Sequence, residues 1–212
     1  MALRYEKRDG IGHFIIDNGP MNTFTPRMHK DFYQYLREFE IDPEVRVGIL
    51  EGADGRHFSA GDDLKERNEP PRTRQQELEA YLFLHQGEGA EPSRPGWDLD
   101  VLLHRRHKPI VAAIHGWCVG KGLIYVLQHS DIRIASEEAR FGLPEIAYGM
   151  AGASGTTRLA QQLPFTAAAW LALTGEFIDA AEALRIHLVN RVVPAAELLA
   201  EAERAARLIA SM

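Results

Sequence analysis

Two glycine-containing turns carry the residue types that could do chemistry. The first is His57-Phe58-Ser59-Ala60-Gly61-Asp62-Asp63-Leu64, and the second is His115-Gly116-Trp117-Cys118-Val119-Gly120-Lys121-Gly122. Each comes after a short apolar run that reads as a buried strand, and the pattern predicts a helix after each. A turn that opens a helix leaves backbone N–H groups unpaired. Two such turns side by side can aim two N–H groups at one oxygen, which is an oxyanion hole for charge developing on a carbonyl. The same residues also suit two plain strand-to-helix turns, and at this level both readings stand.

Other motifs are incomplete. Residues 116–122 are one residue short of a phosphate loop, and no Ser or Thr comes after Lys121. Gly120-Lys121-Gly122 lacks the third glycine of a dinucleotide fingerprint. Ser154 is not in a nucleophile elbow, because Thr156 stands where that motif needs glycine. His104 and His107 flank Arg105 and Arg106, and two adjacent cations oppose metal binding, so a solvated basic helix end is expected. No metal site is expected. Cys118 reads as a small buried hydrophobe.

The elements that must position the two turns can be read from local pattern. Residues 3–8 and 11–17 read as strands around Asp9-Gly10, a hairpin dipeptide that favours positive φ. Thr25-Pro26 opens a helix, with Thr as cap and Pro at the first helical position. Met28, Phe32, Tyr35, Leu36 and Phe39 line its inner face. Residues 45–50, 110–114 and 131–135 read as buried strands, and 189–193 as strand-like. Helices are expected at 75–85, 99–106, 122–129, 152–163 and 165–173, and loops at 68–74 and 87–96. Asp179 with Glu182 forms a capping box for a helix ending near His187. Residues 195–209 form an alanine-rich helix with Leu198, Ala202, Ala205 and Leu208 on one face. Strands alternating with helices give an α/β fold with a largely parallel sheet.

Composition narrows the function classes. The chain has 212 residues, 45% hydrophobic and 25% charged, with a formal net charge of −6. That suits one globular domain. An acidic chain lacks the basic face that nucleic-acid binding needs. One cysteine forms no intrachain disulfide, residues 1–8 carry no signal-like apolar stretch, and no apolar run is long enough to span a bilayer. The expectation is a cytoplasmic protein with no membrane and no nucleic-acid partner.

Several runs in order resemble the enoyl-CoA hydratase/isomerase (crotonase) superfamily. They are Phe58-Ser59-Ala60-Gly61-Asp62-Asp63-Leu64-Lys65, Lys108-Pro109-Ile110-Val111-Ala112-Ala113-Ile114-His115-Gly116, and Ser130-Asp131-Ile132-Arg133-Ile134-Ala135-Ser136. Next come Ala139-Arg140-Phe141-Gly142-Leu143-Pro144-Glu145, Leu173-Thr174-Gly175-Glu176 and Leu188-Val189-Asn190-Arg191-Val192-Val193-Pro194. The resemblance implies a crotonase-like spiral of ββα units that binds an acyl-CoA thioester, and assembly as a homotrimer or hexamer. It implies no separate cofactor, since coenzyme A arrives as part of the substrate. It divides the chain into a core at 1–194 and the start of a C-terminal helical region at 195–212, shorter than in relatives. An exposed apolar surface near 198–209, covered by a partner subunit, is the expectation.

By the same resemblance, the oxyanion donors are the N–H of Asp62 and that of Lys121, with Gly120 the alternative. Ser59, Ala60, Asp62, Leu64, Lys65 and Arg27 are the candidates for holding the coenzyme A end. Hydratases of this family use two glutamates to hold and relay the protons of water. Glu145 matches one. The other position falls on Ile124, or on Tyr125 when the segment is aligned back from Asp131, and neither is a carboxylate. Residues 150–152 mark a compensating deletion in the pocket wall, and no acid in 148–154 replaces the missing one. The expected reaction is a one-carboxylate, isomerase-like proton transfer by Glu145. Alternatives are an unusual hydratase, decarboxylase or hydrolase in which Tyr125 assists Glu145, and a non-catalytic acyl-CoA-binding or scaffold protein.

Overall fold

The computed structural model describes residues 2–53, 57–65, 73–75, 78, 96–150 and 153–212. The strands in chain order are β1 (Ala2–Arg8), β2 (Ile11–Asp17), β3 (Val47–Gly52), β4 (Ile110–Ile114), β5 (Trp117–Val119), β6 (Ile132–Ser136), β7 (Arg140–Gly142), β8 (Ile178–Asp179) and β9 (Arg191–Val193). The helices are α1 (Pro26–Ile41), α2 (Trp97–Leu103), α3 (Lys121–His129), α4 (Ala153–Gln162), α5 (Phe165–Thr174), α6 (Ala180–Arg185) and α7 (Leu198–Ala210).

Six strands form one sheet in the order β1-β2-β3-β4-β6-β9, and β5-β7-β8 form a small second sheet. The β1–β2 hairpin is antiparallel, and every other pair in the large sheet is parallel. The hairpin turns at Asp9 and Gly10, with φ of 50° and 75°, as Asp-Gly favours. The middle strands carry apolar side chains on both faces because both are covered. On one face Phe14, Leu50, Ala112 and Ile114 meet Phe32, Leu36 and Phe39 of α1. On the other, Ile11, Val47, Ile49, Val111, Ala113 and Ile134 meet α7.

Local signals set the helix boundaries. The Thr25 hydroxyl accepts from the Met28 N–H at 3.3 Å and starts α1. Asp179 accepts from the Glu182 N–H at 2.8 Å and starts α6. After α6, His187 takes φ +64°, a left-handed position where glycine carries no Cβ penalty.

The structure corrects several expectations. The strands β5, β7 and β8, of two or three residues each, were too short to show a period. The basic run after Leu103 is not helical: Arg106 pairs bidentately with Asp131 at 2.6 and 2.9 Å, and Lys108 Nζ donates to the Phe39 carbonyl at 2.7 Å. Helix α7 covers the chain's own sheet with its small-residue face and leaves Leu199 and Leu208 exposed. Leu198, Ala202 and Ala206 are buried on the chain's own sheet, whereas Leu208 is 53% exposed. Small alanines let the helix approach the sheet closely, so the inward stripe runs through Ala206 and leaves Leu208 outside. The helix expected at 75–85 and the loops at 68–74 and 87–96 lie, apart from residues 73–75, 78 and 96, outside the described residues. The residues directly after the first glycine turn, 66–72, which bear on whether it leads into a helix, lie outside them too.

Candidate active site

The two glycine turns are stitched together by main-chain bonds. Phe58 N–H donates to the His115 carbonyl at 2.7 Å, Ser59 N–H to Trp117 at 2.8 Å, and Val119 N–H to Ser59 at 3.0 Å. A Cβ on Gly122 would lie 2.8 Å from the Ser59 Cβ, so this approach requires glycine. On its other side the first turn binds the segment before α1. Ala60 N–H donates to Met21, Phe24 N–H to Gly61 and Asp63 N–H to Phe24, at 2.8–2.9 Å. Gly61 N–H donates to Ser59 Oγ at 3.1 Å.

Between these bonded groups the N–H of Asp62 has no acceptor among the described residues. In the second turn, Gly120 N–H donates to the Gly142 carbonyl at 3.0 Å. Lys121 is the first residue of α3, where an N–H has no partner within the helix. A Cβ on Gly61 would lie 3.2 Å from Lys121 N. The structure therefore sets the N–H groups of Asp62 and Lys121 at the meeting point of the turns, and commits that of Gly120 elsewhere.

A cavity of about 370 Å³ opens on this point, with Asp62, Lys121 and Glu145 as its charged lining. Glu145 lies in a 3-10 turn, Pro144–Tyr148, that comes after β7. A Cβ on Gly120 would lie 3.5 Å from Glu145 Oε1. Oε2 is buried and has no hydrogen-bond partner among the described residues. Burial raises the Glu145 carboxyl above its usual range; its own backbone N–H and Lys121 pull it back, and Asp62 adds to the rise. A carboxyl raised in this way holds a proton more readily than an exposed one and can return it to a substrate. Ala60, Leu64, Val119, Ile124, Tyr148 and Phe177 supply an apolar wall.

Ile124 lines the cavity, and Tyr125 does not. Successive helical residues point about 100° apart, so only one of the two faces the site. Tyr125 is 1% exposed, in edge contact with Phe24 and Phe32. Its hydroxyl lies 2.7 Å from His29 Nδ1. Tyr125 as an assisting catalytic residue is thereby corrected. Ser59 is fully buried, its hydroxyl accepts from the Gly61 N–H, and it lies outside the cavity lining. Ala60 and Leu64 reach the cavity, while Lys65 and Arg27 are exposed outside its lining, Arg27 lying 3.7 Å from Asp31. Of the 150–152 segment, Met150 lines the cavity, and residues 151 and 152 are outside the described set.

Two residues behind the site were missed. Lys121 Nζ pairs with Asp98 of α2 at 2.7 Å and lies 4.0 Å from Asp62 Oδ2. His29 Nε2 lies 3.3 Å from Asp62 Oδ1. His29 had a sequence signal: it is the polar residue beside Met28 on the apolar face of α1. Asp98 had none, because its partner is 23 positions away.

Known proteins resemble this chain in sequence and in fold. The family model for enoyl-CoA hydratase/isomerase matches residues 6–212. The (E)-benzylidenesuccinyl-CoA hydratase of Thauera aromatica is 38% identical over 192 residues, covering 90% of this chain and 69% of that protein. The short-chain-enoyl-CoA hydratase of Clostridium acetobutylicum is 35% identical over 208 residues, covering 97% and 74%. Among solved structures, a carnitinyl-CoA dehydratase from Mycobacterium avium superposes with a TM-score of 0.82 at 32% identity, covering 99% of this chain and 77% of that one.

Proposed function

This chain belongs to the enoyl-CoA hydratase/isomerase family, and from that premise we propose how its site acts on an acyl-CoA thioester. The thioester carbonyl oxygen accepts from the N–H groups of Asp62 and Lys121. Both are free among the described residues and meet at the cavity. As negative charge moves onto that oxygen, the two donors stabilise the enolate; one such donor is worth about 3 kcal/mol in the transition state. Glu145 moves the proton to or from carbon. The observation that carries the reading is the placement of a buried carboxyl, raised by desolvation, in the same cavity as two unused N–H groups.

With Glu145 acting alone, the reaction is a double-bond shift: one carboxylate takes a proton from one carbon and returns it to another. A second reading is addition of water. It is favoured by relatives named as hydratases, and it asks for a further group beside Glu145. The test common to both is exchange of the α-protons of butyryl-CoA with deuterated solvent, read by mass spectrometry. Wild type exchanges them, and Glu145→Gln loses at least about 100-fold while still binding the thioester. An unchanged rate in Glu145→Gln refutes the role of Glu145.

Assembly into trimers or hexamers belongs to the same proposal. Ile146, Phe165, Trp170 and Leu173 are large, apolar and exposed. They surround the packed junction of α5 with the 3-10 turn that carries Glu145, and a second copy of this chain covers them. Sedimentation at micromolar concentration tests this, and a stable monomer rejects it.

A further inference from the structure

Adding water across a double bond needs one group to take a proton from water and another to give one to carbon. Glu145 is one such group in the reading above, and the position on α3 where hydratases carry their other glutamate is Ile124, which lines the cavity and carries no acid. The cavity nevertheless holds a second carboxylate, the side chain of Asp62.

Three observations set Asp62 apart from a structural ion pair. Its Oδ1 is buried and makes no hydrogen bond among the described residues. His29 Nε2 lies 3.3 Å away, an ion-pair distance, but off the direction a hydrogen bond requires. Its Oδ2 is 4.0 Å from Lys121 Nζ, which is already paired with Asp98 at 2.7 Å. Glu145 Oε2 is orphaned in the same way. Unmet buried acceptors are costly, and two on residues of one cavity mark where a donor such as water belongs.

The two carboxylates also feel one another, since the charge of Asp62 adds to the upward push on Glu145. Behind Asp62, the Tyr125 hydroxyl and His29 Nδ1 share a proton at 2.7 Å. With the hydroxyl as donor, the ring proton sits on Nε2, the nitrogen 3.3 Å from Asp62 Oδ1.

We infer that the Asp62 side chain is the second acid–base residue of this site, with His29 as its positioning residue, and that the reaction is reversible addition of water to an α,β-unsaturated acyl-CoA. This rests on the proposed binding of an acyl-CoA thioester and on Glu145. The water oxygen bonds to the β-carbon while one water proton passes to the Asp62 carboxylate. The π electrons move to the thioester oxygen, giving an enolate held by the two N–H groups. The carbonyl re-forms as the α-carbon takes the proton of the Glu145 carboxyl. Passage of the Asp62 proton through cavity water to Glu145 restores both groups.

The experiment monitors hydration of crotonyl-CoA and cinnamoyl-CoA by loss of enone absorbance, together with butyryl-CoA binding and α-proton exchange. Wild type hydrates at least one of the two. Asp62→Asn keeps the main-chain donor and binds butyryl-CoA within threefold of wild type, yet its kcat for hydration falls at least about 100-fold. Asp62→Glu recovers at least tenfold over Asn. His29→Gln lowers kcat less and shifts its pH profile, with KM little changed. Hydration by Asp62→Asn within threefold of wild type overturns the inference. So does a wild type that exchanges α-protons but hydrates neither thioester, and in that case the Glu145 reading stands. A wild type that neither binds nor exchanges overturns both.

Discussion

Two histidine–carboxylate pairs are buried on opposite faces of the large sheet, and they are built differently. On the α7 face, His13 Nδ1 and Glu51 Oε1 lie 2.8 Å apart in a direct hydrogen bond across the paired strands β2 and β3. On the α1 face, His29 and Asp62 lie 3.3 Å apart without one, and Asp62 keeps an unmet oxygen. The first pair is closed on itself and contributes to the fold. The second leaves capacity unused, beside two unused N–H groups and Glu145. Burial and residue type are similar in both pairs, so the spare hydrogen-bonding capacity is what distinguishes a reactive pair from a structural one.

Removing the carboxylate from each pair tests this difference most strongly. Glu51→Ala is expected to lower stability by about 3 kcal/mol in urea unfolding, because it strands a buried imidazole. Its kcat for any thioester substrate stays within about twofold of wild type. Asp62→Asn is expected to do the reverse, with the main loss in kcat, a 100-fold fall equal to about 2.7 kcal/mol. If both variants lose stability alike, the distinction between the pairs fails.

A smaller effect comes from Glu145. Its carboxyl is raised in the folded state. The folded protein therefore holds that proton more tightly than the unfolded chain does, and this contribution is full below the ordinary carboxylate range. It is lost as pH rises through the folded value. Glu145→Gln removes the dependence, so the variant gains on wild type in thermal unfolding as pH rises from 4 to 8, while losing proton exchange. A wild-type advantage that grows with pH contradicts the stated environment. The smallest expected effect is at His187. Glycine there relieves a left-handed side chain at an exposed helix end and raises stability by about 0.5–1 kcal/mol.

Much of this architecture was legible in the chain. Asp9-Gly10, Thr25-Pro26 and Asp179 with Glu182 each act through neighbours a few residues away, and each did what its chemistry dictates. Each glycine turn was legible for the same reason, whereas their meeting was implied only by the family resemblance. The strands β5, β7 and β8 were not, since two or three residues carry no measurable alternation. The choice between Ile124 and Tyr125 was also hidden, because a one-residue insertion turns a helix by about 100°, and only packing decides which side chain meets the cavity. The Asp62–His29 and Lys121–Asp98 contacts join elements distant in sequence. Nothing local announces them, although a histidine on the apolar face of α1 was the visible anomaly.

The stitching of the two glycine turns bears on how such a site changes over generations. Every bond that fixes the two free N–H groups runs through the main chain or through Ser59, with glycine needed at Gly122 for the close approach. The side chains at Asp62 and Lys121 take no part in that framework. Substitution at these two positions can therefore alter what the cavity offers a substrate while the carbonyl-holding apparatus stays in place. A lineage can try new acids, bases and shapes there without first rebuilding the grip on the carbonyl.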